Sequence, residues 1–194
     1  MRLFLGIFFV MSFLIVFVLR TLLVWRSTGV NPVILSRADD ADRYIMRTFL
    51  WVEVALVVSL AAFIAGHEGP GGNLPMFEHD AVRLAGLALV LLSTLWAAIA
   101  QAQMGASWRI GIDRQRQTAL VTHGLFGISR NPIFFGMHVA LAGYFLCVPS
   151  VLMLAVLLVG HVLISVQVRL EEGYLASSHG AAYAAYRERV RRWV

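Results

Sequence analysis

The sequence predicts an all-α integral membrane protein of about five transmembrane helices with an amphipathic C-terminal helical tail, and three observations carry that prediction. Of 194 residues, 59% are apolar and only 14% are charged, against roughly 25% charged in an average soluble domain. Mean hydropathy is +0.76. Several apolar stretches reach the roughly 20 residues that a helix needs to cross a bilayer. These features exclude a soluble α/β enzyme. The single cysteine, Cys147, lies inside an apolar stretch, so neither a disulfide framework nor a cysteine-built metal site is available, and no metal is expected.

The first span covers 3–25; it is too long for a signal-peptide apolar region and no small-residue cleavage site follows it, so it is read as retained. Further spans follow at 45–66, 81–104, 132–148 and 150–170, the fourth being the shortest. A tight turn at Pro149 makes the last two antiparallel neighbours. Gly69, Pro70, Gly71 and Gly72 predict a flexible loop between the second and third spans. No loop is long enough for a separate domain, so 1–194 is one membrane domain, with its polar region in 105–135 and 167–194.

Net charge is +5 and the pI near 10.1, but the arginines lie at the ends of apolar segments and form no nucleic-acid-binding face. Arg26, Arg37, Arg43, Arg109, Arg114, Arg116, Arg130, Arg187, Arg189, Arg191 and Arg192 fall in the first loop, the third loop or the tail, while the second loop has none. That asymmetry places the N-terminus outside and the C-terminus in the cytoplasm, as for a multi-pass protein of a bacterial inner membrane.

Polar side chains inside spans cost roughly 3 kcal/mol on insertion scales, so their positions carry information. Arg20, Glu53, Gln101, Gln103, His138, Gln167 and Arg169 all lie toward the cytoplasmic side, which points to a pocket open to the cytoplasm. The alternative is that Arg20, Glu53 and Arg169 snorkel to the interface and His138 bonds a neighbouring helix. The third loop mixes small and apolar residues around Gly124, Leu125, Phe126 and Gly127, which suits close approach to a flat ligand with Phe126 stacked on it, or else insertion into the interface. In the tail, Leu175, His179, Tyr183, Tyr186, Val190 and Trp193 form an apolar stripe that Gly180 divides. Its second piece is expected on the cytoplasmic leaflet, with Arg187, Arg189, Arg191 and Arg192 on anionic lipid, as an anchor or as a lid.

Several short motifs then occur in a specific order. They are Met104-Gly105-Ala106-Ser107-Trp108-Arg109 with Gly111-Ile112-Asp113; Leu120-Val121-Thr122 with Gly124; Ser129-Arg130-Asn131-Pro132-Ile133-Phe134-Phe135-Gly136; Arg169, Glu171-Glu172 and Leu175; and Gly180, Tyr183, Tyr186 and Val190. In order and spacing this set resembles the isoprenylcysteine carboxyl methyltransferases and their bacterial relatives, integral-membrane enzymes that use S-adenosyl-L-methionine. The resemblance implies a cofactor site lined by Thr118, Ala119, Leu120, Val121, Phe126, Asn131, Pro132, Ile133, Phe134 and Glu171. It further implies catalytic roles for Arg169, Glu171 and Glu172, with Gln167 and Arg169 toward the acceptor. The chain departs from the family pattern at Asn131, where histidine is common, at Phe134, where tyrosine is common, and at Gln167, where some members place an arginine.

The implied donor is a sulfonium with an adenosyl group and an amino-acid end, which calls for aromatic faces, hydrogen bonds and negative charge. A carboxylate acceptor needs no general base, whereas a thiol would need one, for which Glu171 or Glu172 is available. A lipophilic, prenyl-like acceptor held partly in membrane lipid is the expected partner. The alternatives are a membrane reductase using NADPH, whose sterol-reducing examples share an Arg-x-Pro-aromatic-x-Gly element, and a non-catalytic transporter or scaffold. Transport would require polar residues through the whole depth, and the outer half is nearly bare. Gly86, Ala97 and Ala98 serve either internal packing or a dimer face, so the oligomeric state stays open.

The arginine asymmetry predicts that a cysteine placed at position 72 is labelled from outside and one at position 115 from the cytoplasm. Labelling of position 72 from the cytoplasm alone would reverse the orientation.

Overall fold

The computed structural model describes residues 1–34 and 41–194; Arg37, one of the topology arginines, lies outside the described residues. Five apolar helices succeed one another in the expected order: α1 (Arg2–Thr28), α2 (Ala41–Ile64), α3 (Asp80–Met104), α4 (Pro132–Cys147) and α5 (Val151–Arg189). Four of them, α1, α2, α3 and α5, are long and apolar enough to cross a membrane. The protein is therefore an all-helical membrane protein, and the described residues form no β-strand beyond isolated bridges.

The fourth expected span is the one that differs. With 16 residues, α4 is about 24 Å long at 1.5 Å per residue, short of a hydrocarbon layer of about 30 Å. Pro132 starts it, and Val148, non-helical at φ −131° and ψ 71°, ends it before Pro149. The shortfall is made up by the loop between α2 and α3, which folds over the α4–α5 turn. Leu74 N–H donates to the Pro149 carbonyl (2.8 Å), Val151 N–H to Gly72 (3.0 Å) and Leu152 N–H to Pro70 (3.2 Å). The Ser150 hydroxyl accepts from Met153 N–H. The opening donors of α5, which have no partner within their own helix, are satisfied in this way. The glycine-rich loop, read from sequence as flexible, is thus a fitted cap whose carbonyls terminate a helix.

At this end of the bundle lies the core of Leu5, Leu56, Leu60, Phe63, Val90, Tyr144, Phe145, Cys147, Val148, Met153 and Val156. Helices α3 and α4 make the most extensive contact. Their backbones meet at Gly86 and Gly143, where a Cβ on either would stand under 3 Å from the other's carbonyl oxygen. Gly86 and the buried Ala97 therefore serve internal packing. Helix α1 buries only Leu5 and Val24 and is the most lipid-exposed element. A π-helical stretch interrupts it at Leu14–Leu19.

Helix α5 runs far beyond the bilayer. Its apolar part ends near Leu170, and the helix continues until Gly180, whose non-helical φ of 50° and ψ of −122° turn the remaining residues to a new direction. That break sits where the sequence placed it, and it sends the tail back toward the start of α4.

Candidate active site

The site grows from the segment between α3 and α4. Gly105 ends α3 at φ +54°, a conformation that glycine adopts without the Cβ clash of other residues. The chain then makes a 3₁₀ turn over Gly105–Ser107. Further on, the Asp113 carboxylate accepts from the N–H groups of Gln115 and Arg116, an Asx turn that reverses the chain. A second 3₁₀ turn, Gly124–Gly127, is clamped from α3 by Gln103, whose Oε1 accepts from Leu125 N–H at 2.8 Å. Trp96 donates its indole N–H to the Pro132 carbonyl (2.9 Å) and so fixes where α4 begins.

The extension of α5 closes the other side. Tyr174 O–H donates to the Asp113 carbonyl (2.6 Å), Gln117 donates its amide to the Ser178 carbonyl, and Tyr186 O–H donates to the Phe126 carbonyl (2.7 Å). The last residues strap across the start of α4. Arg130 N–H donates to Arg191 (2.8 Å), Arg130 Nη1 to the Val190 carbonyl (2.6 Å), and Ser129 O–H to the Arg192 carbonyl (3.1 Å).

One carboxylate ties these pieces together. Glu172 is 7% exposed. It accepts from Asn131 Nδ2 at 2.9 Å, Arg192 Nη2 at 2.9 Å and Arg130 Nε at 3.2 Å. Burial alone would raise its pKa, but the hydrogen bonds from Arg192, Arg130 and Asn131 outweigh burial and hold it below the usual carboxylate range. Arg192, expected on lipid, instead turns its half-buried guanidinium to Glu172; Arg187, Arg189 and Arg191 remain exposed.

Glu171, one residue beyond the apolar stretch, has the opposite surroundings. Successive helical residues are rotated by about 100°, and Glu171 turns into a cleft with about 870 Å³ of space, part of it open to solvent. No hydrogen bond or ion pair reaches it among the described residues. Desolvation, with Glu172 adding like-charge repulsion, pushes its carboxyl up to about 7.

The cleft is lined by Thr118, Ala119, Leu120, Val121, Phe126, Asn131, Pro132, Ile133, Phe134 and Glu171, so the ten residues named from the motifs surround one space. Ser107, Arg109, Asp113, Arg116, Arg130, Tyr174 and Tyr186 also line it. The motifs assigned no site role to Tyr174, although its place three residues after Glu171 on a helix was the available signal. Three expected residues do not line it: Glu172, which is turned to Arg130 and Arg192, and two that lie elsewhere. Arg169 is exposed on another face of α5, its Nη1 on the Ser165 carbonyl of the preceding turn (2.7 Å). Gln167 faces a small neighbouring cavity with Ile34, Asp42, Met46, Gly111 and Ile112. Of the other polar span residues, His138 packs against His161 and Trp193, with ring centroids 4.8 and 4.9 Å away, Gln101 is buried, and Glu53 is half-buried.

A family model described as phospholipid methyltransferase matches residues 82–182, just over half of the chain. The chain belongs to the phospholipid methyltransferase family. The matched stretch runs from α3 through the cleft-lining loop to the α5 extension. Its fold is similar to that of the eukaryotic intramembrane Ras methyltransferase ICMT (isoprenylcysteine carboxyl methyltransferase), solved without a monobody, with a TM-score of 0.54 and 17% identity. The alignment covers 79% of this chain and 52% of that one, so the chain spans about half the length of its structural neighbour. No curated protein matches it. The family and the shared fold bear out the resemblance drawn from the motifs.

In this protein Glu172→Gln is expected to free the 190–194 strap and to destabilise the fold by about 3–5 kcal/mol, because two buried or half-buried guanidinium groups lose their counter-charge. Glu172 is an acid with a depressed folded pKa, so its contribution is present above the ordinary value of about 4.3 and is lost as pH falls through the lower, folded value. Hydrogen exchange of peptides from 183–194 checks both effects. Unchanged protection in Glu172→Gln would show that the strap is held by its backbone bonds alone.

Proposed function

We propose that the chain transfers a methyl group from S-adenosyl-L-methionine, held in the cleft beside Glu171, to the polar end of a lipophilic acceptor at the cytoplasmic face of the membrane. The observation that carries this reading is an unpaired, desolvated carboxylate in a cleft whose other walls are aromatic, apolar and basic. Glu171 offers negative charge to a cationic ligand. Phe126 and Phe134 offer faces for a flat ring or a sulfonium. Arg109 and Arg116 offer partners for a ligand carboxylate.

When bound, the donor supplies a methyl group on positively charged sulfur, and the C–S bonding pair stays on sulfur as the new bond to the acceptor forms. The protein's share is positioning and exclusion of water. Tyr186 fixes Phe126 through its backbone carbonyl, and Tyr174 holds the Asp113 turn over the cleft. Pro132, Ile133 and Phe134, on the first turn of α4, offer an apolar wall at the membrane boundary, so an acceptor tail can remain in lipid while its polar end reaches the cleft. A carboxylate acceptor, such as an isoprenylcysteine-like carboxyl group, needs no base. For a protonated acceptor the carboxylate available in the cleft as a base is Glu171. Glu172, considered for that role from sequence, is committed to three donors and too weak a base. Exposed on another face of α5, Arg169 is read as an interfacial anchor. The family's phospholipids and the neighbour's isoprenylcysteine carboxyl groups share one acceptor design, an apolar tail with a polar end.

Calorimetry with S-adenosyl-L-methionine tests the reading. Glu171→Gln should weaken binding about tenfold or more, since a charge-assisted contact is lost while shape is kept. In the wild type, binding at pH 6 should release close to one proton, because a carboxyl titrating at about 7 ionises when a cation arrives. Affinity should therefore rise as pH increases from about 4 toward about 7, and Glu171→Gln should abolish both effects. Equal affinities with no proton release would remove Glu171 from the donor site.

A further inference from the structure

We infer that Arg20, on the lipid-exposed first helix and outside the stretch that matches the family, is a positioning residue for the donor cleft. This rests on the proposed use of the cleft for S-adenosyl-L-methionine.

Arg20 is costly in an apolar helix, and the cheapest arrangement for it is to reach water at the interface. It instead points into the protein. Its Nη2 donates to the Gly105 carbonyl at 2.7 Å, and the guanidinium lies 5.9 Å from the centre of the buried Trp108 ring, within cation–π range. The π-helical stretch Leu14–Leu19 ends immediately before it. One extra residue in a helical turn rotates the remainder of the helix by about 100°, so this irregularity sets which way Arg20 faces.

The carbonyl it holds is well placed to matter. Gly105 is where α3 stops and the cleft wall begins, with Met104, Ser107 and Arg109 all lining the cleft. Ser107 O–H in turn donates to the Ala119 carbonyl on the opposite stretch of the same wall. Further along, the chain leaving α1 pairs with that wall, Ile34 N–H donating to Ile110 (2.8 Å) and Ile110 N–H to Pro32 (2.9 Å). The first helix and the chain leaving it thus grip the wall at two points, of which Arg20 is the one made by a side chain. Loss of the grip lets the Gly105–Arg109 turn move and misplaces the donor contacts without touching the acceptor.

The test compares Arg20→Gln and Arg20→Lys with wild type in three measurements: affinity for S-adenosyl-L-methionine, hydrogen exchange of peptides from 105–121, and the KM against kcat for the donor. Arg20→Gln should weaken donor affinity about tenfold and raise the donor KM with little change in kcat. It should also speed exchange in 105–121 while leaving exchange in Ala41–Ile64 unchanged. Arg20→Lys keeps the charge on one contact and should recover part of the affinity. If Arg20→Gln fails to fold, Trp108→Leu, which removes the face under the guanidinium, is read in the same way. Lowered thermal stability with wild-type donor affinity and exchange would overturn the inference and leave Arg20 as a packing residue. Failure of the wild type itself to bind the donor would instead overturn the reading of the cleft.

Discussion

Burial of the Glu172 carboxylate between Arg130 and Arg192 is the interaction on which the rest of the site depends. A charge this inaccessible is tolerated only when its partners are close and its lone pairs are occupied, and here three side chains from two other parts of the chain meet that demand. Arg130 and Asn131 precede α4, Glu172 lies on the extension of α5, and Arg192 belongs to the last residues. Two of these donors are also bonded to the strap's backbone, Arg130 to the Val190 carbonyl and Asn131 Nδ2 to the Arg192 carbonyl, where Ser129 O–H donates as well. Satisfying one carboxylate therefore determines where the first turn of α4 sits relative to the helix that carries Glu171.

That arrangement explains how two adjacent glutamates come to have opposite electrostatics. Once Glu172 is turned inward to its arginines, helical geometry directs Glu171 into the cleft. Glu172 is stabilised as a carboxylate by its donors, and its charge then acts on Glu171, which burial already disfavours as an anion. The site holds one carboxylate for structure and leaves the next one unpaired for a cationic ligand. The aromatic wall is fixed independently, by Gln103 under the Gly124–Gly127 turn and Tyr186 on the Phe126 carbonyl.

Much of this was legible in the sequence because it is local. Apolar runs mark the helices, Gly180 marks the break in the tail, and the motifs around Thr118–Val121, Phe126 and Asn131–Phe134, with Glu171, bring ten residues to one cleft. The features that stayed hidden depend on direction and distance. Which member of the Glu171-Glu172 pair meets the arginines turns on the rotation of α5, which no local pattern records. Arg192 looks like any lipid-facing arginine until the chain has folded back, and Arg169 looks like an acceptor ligand until its face of the helix is known. The glycines before Asn73 suggest mobility, whereas their neighbouring carbonyls cap α5. The fourth span fell short because a loop, rather than more helix, completes that end of the bundle.

The central claim is that the cleft between the 105–134 segment and the α5 extension holds a sulfonium methyl donor beside Glu171. An experimental structure with S-adenosylhomocysteine, the demethylated form of that donor, tests it most directly. The ligand's sulfur is expected between Phe126 and Phe134, its amino group toward Glu171, and Glu172 still bonded to Arg130 and Arg192. A ligand bound elsewhere, or one that displaces Arg130 or Arg192 and takes Glu172 for itself, would contradict the claim.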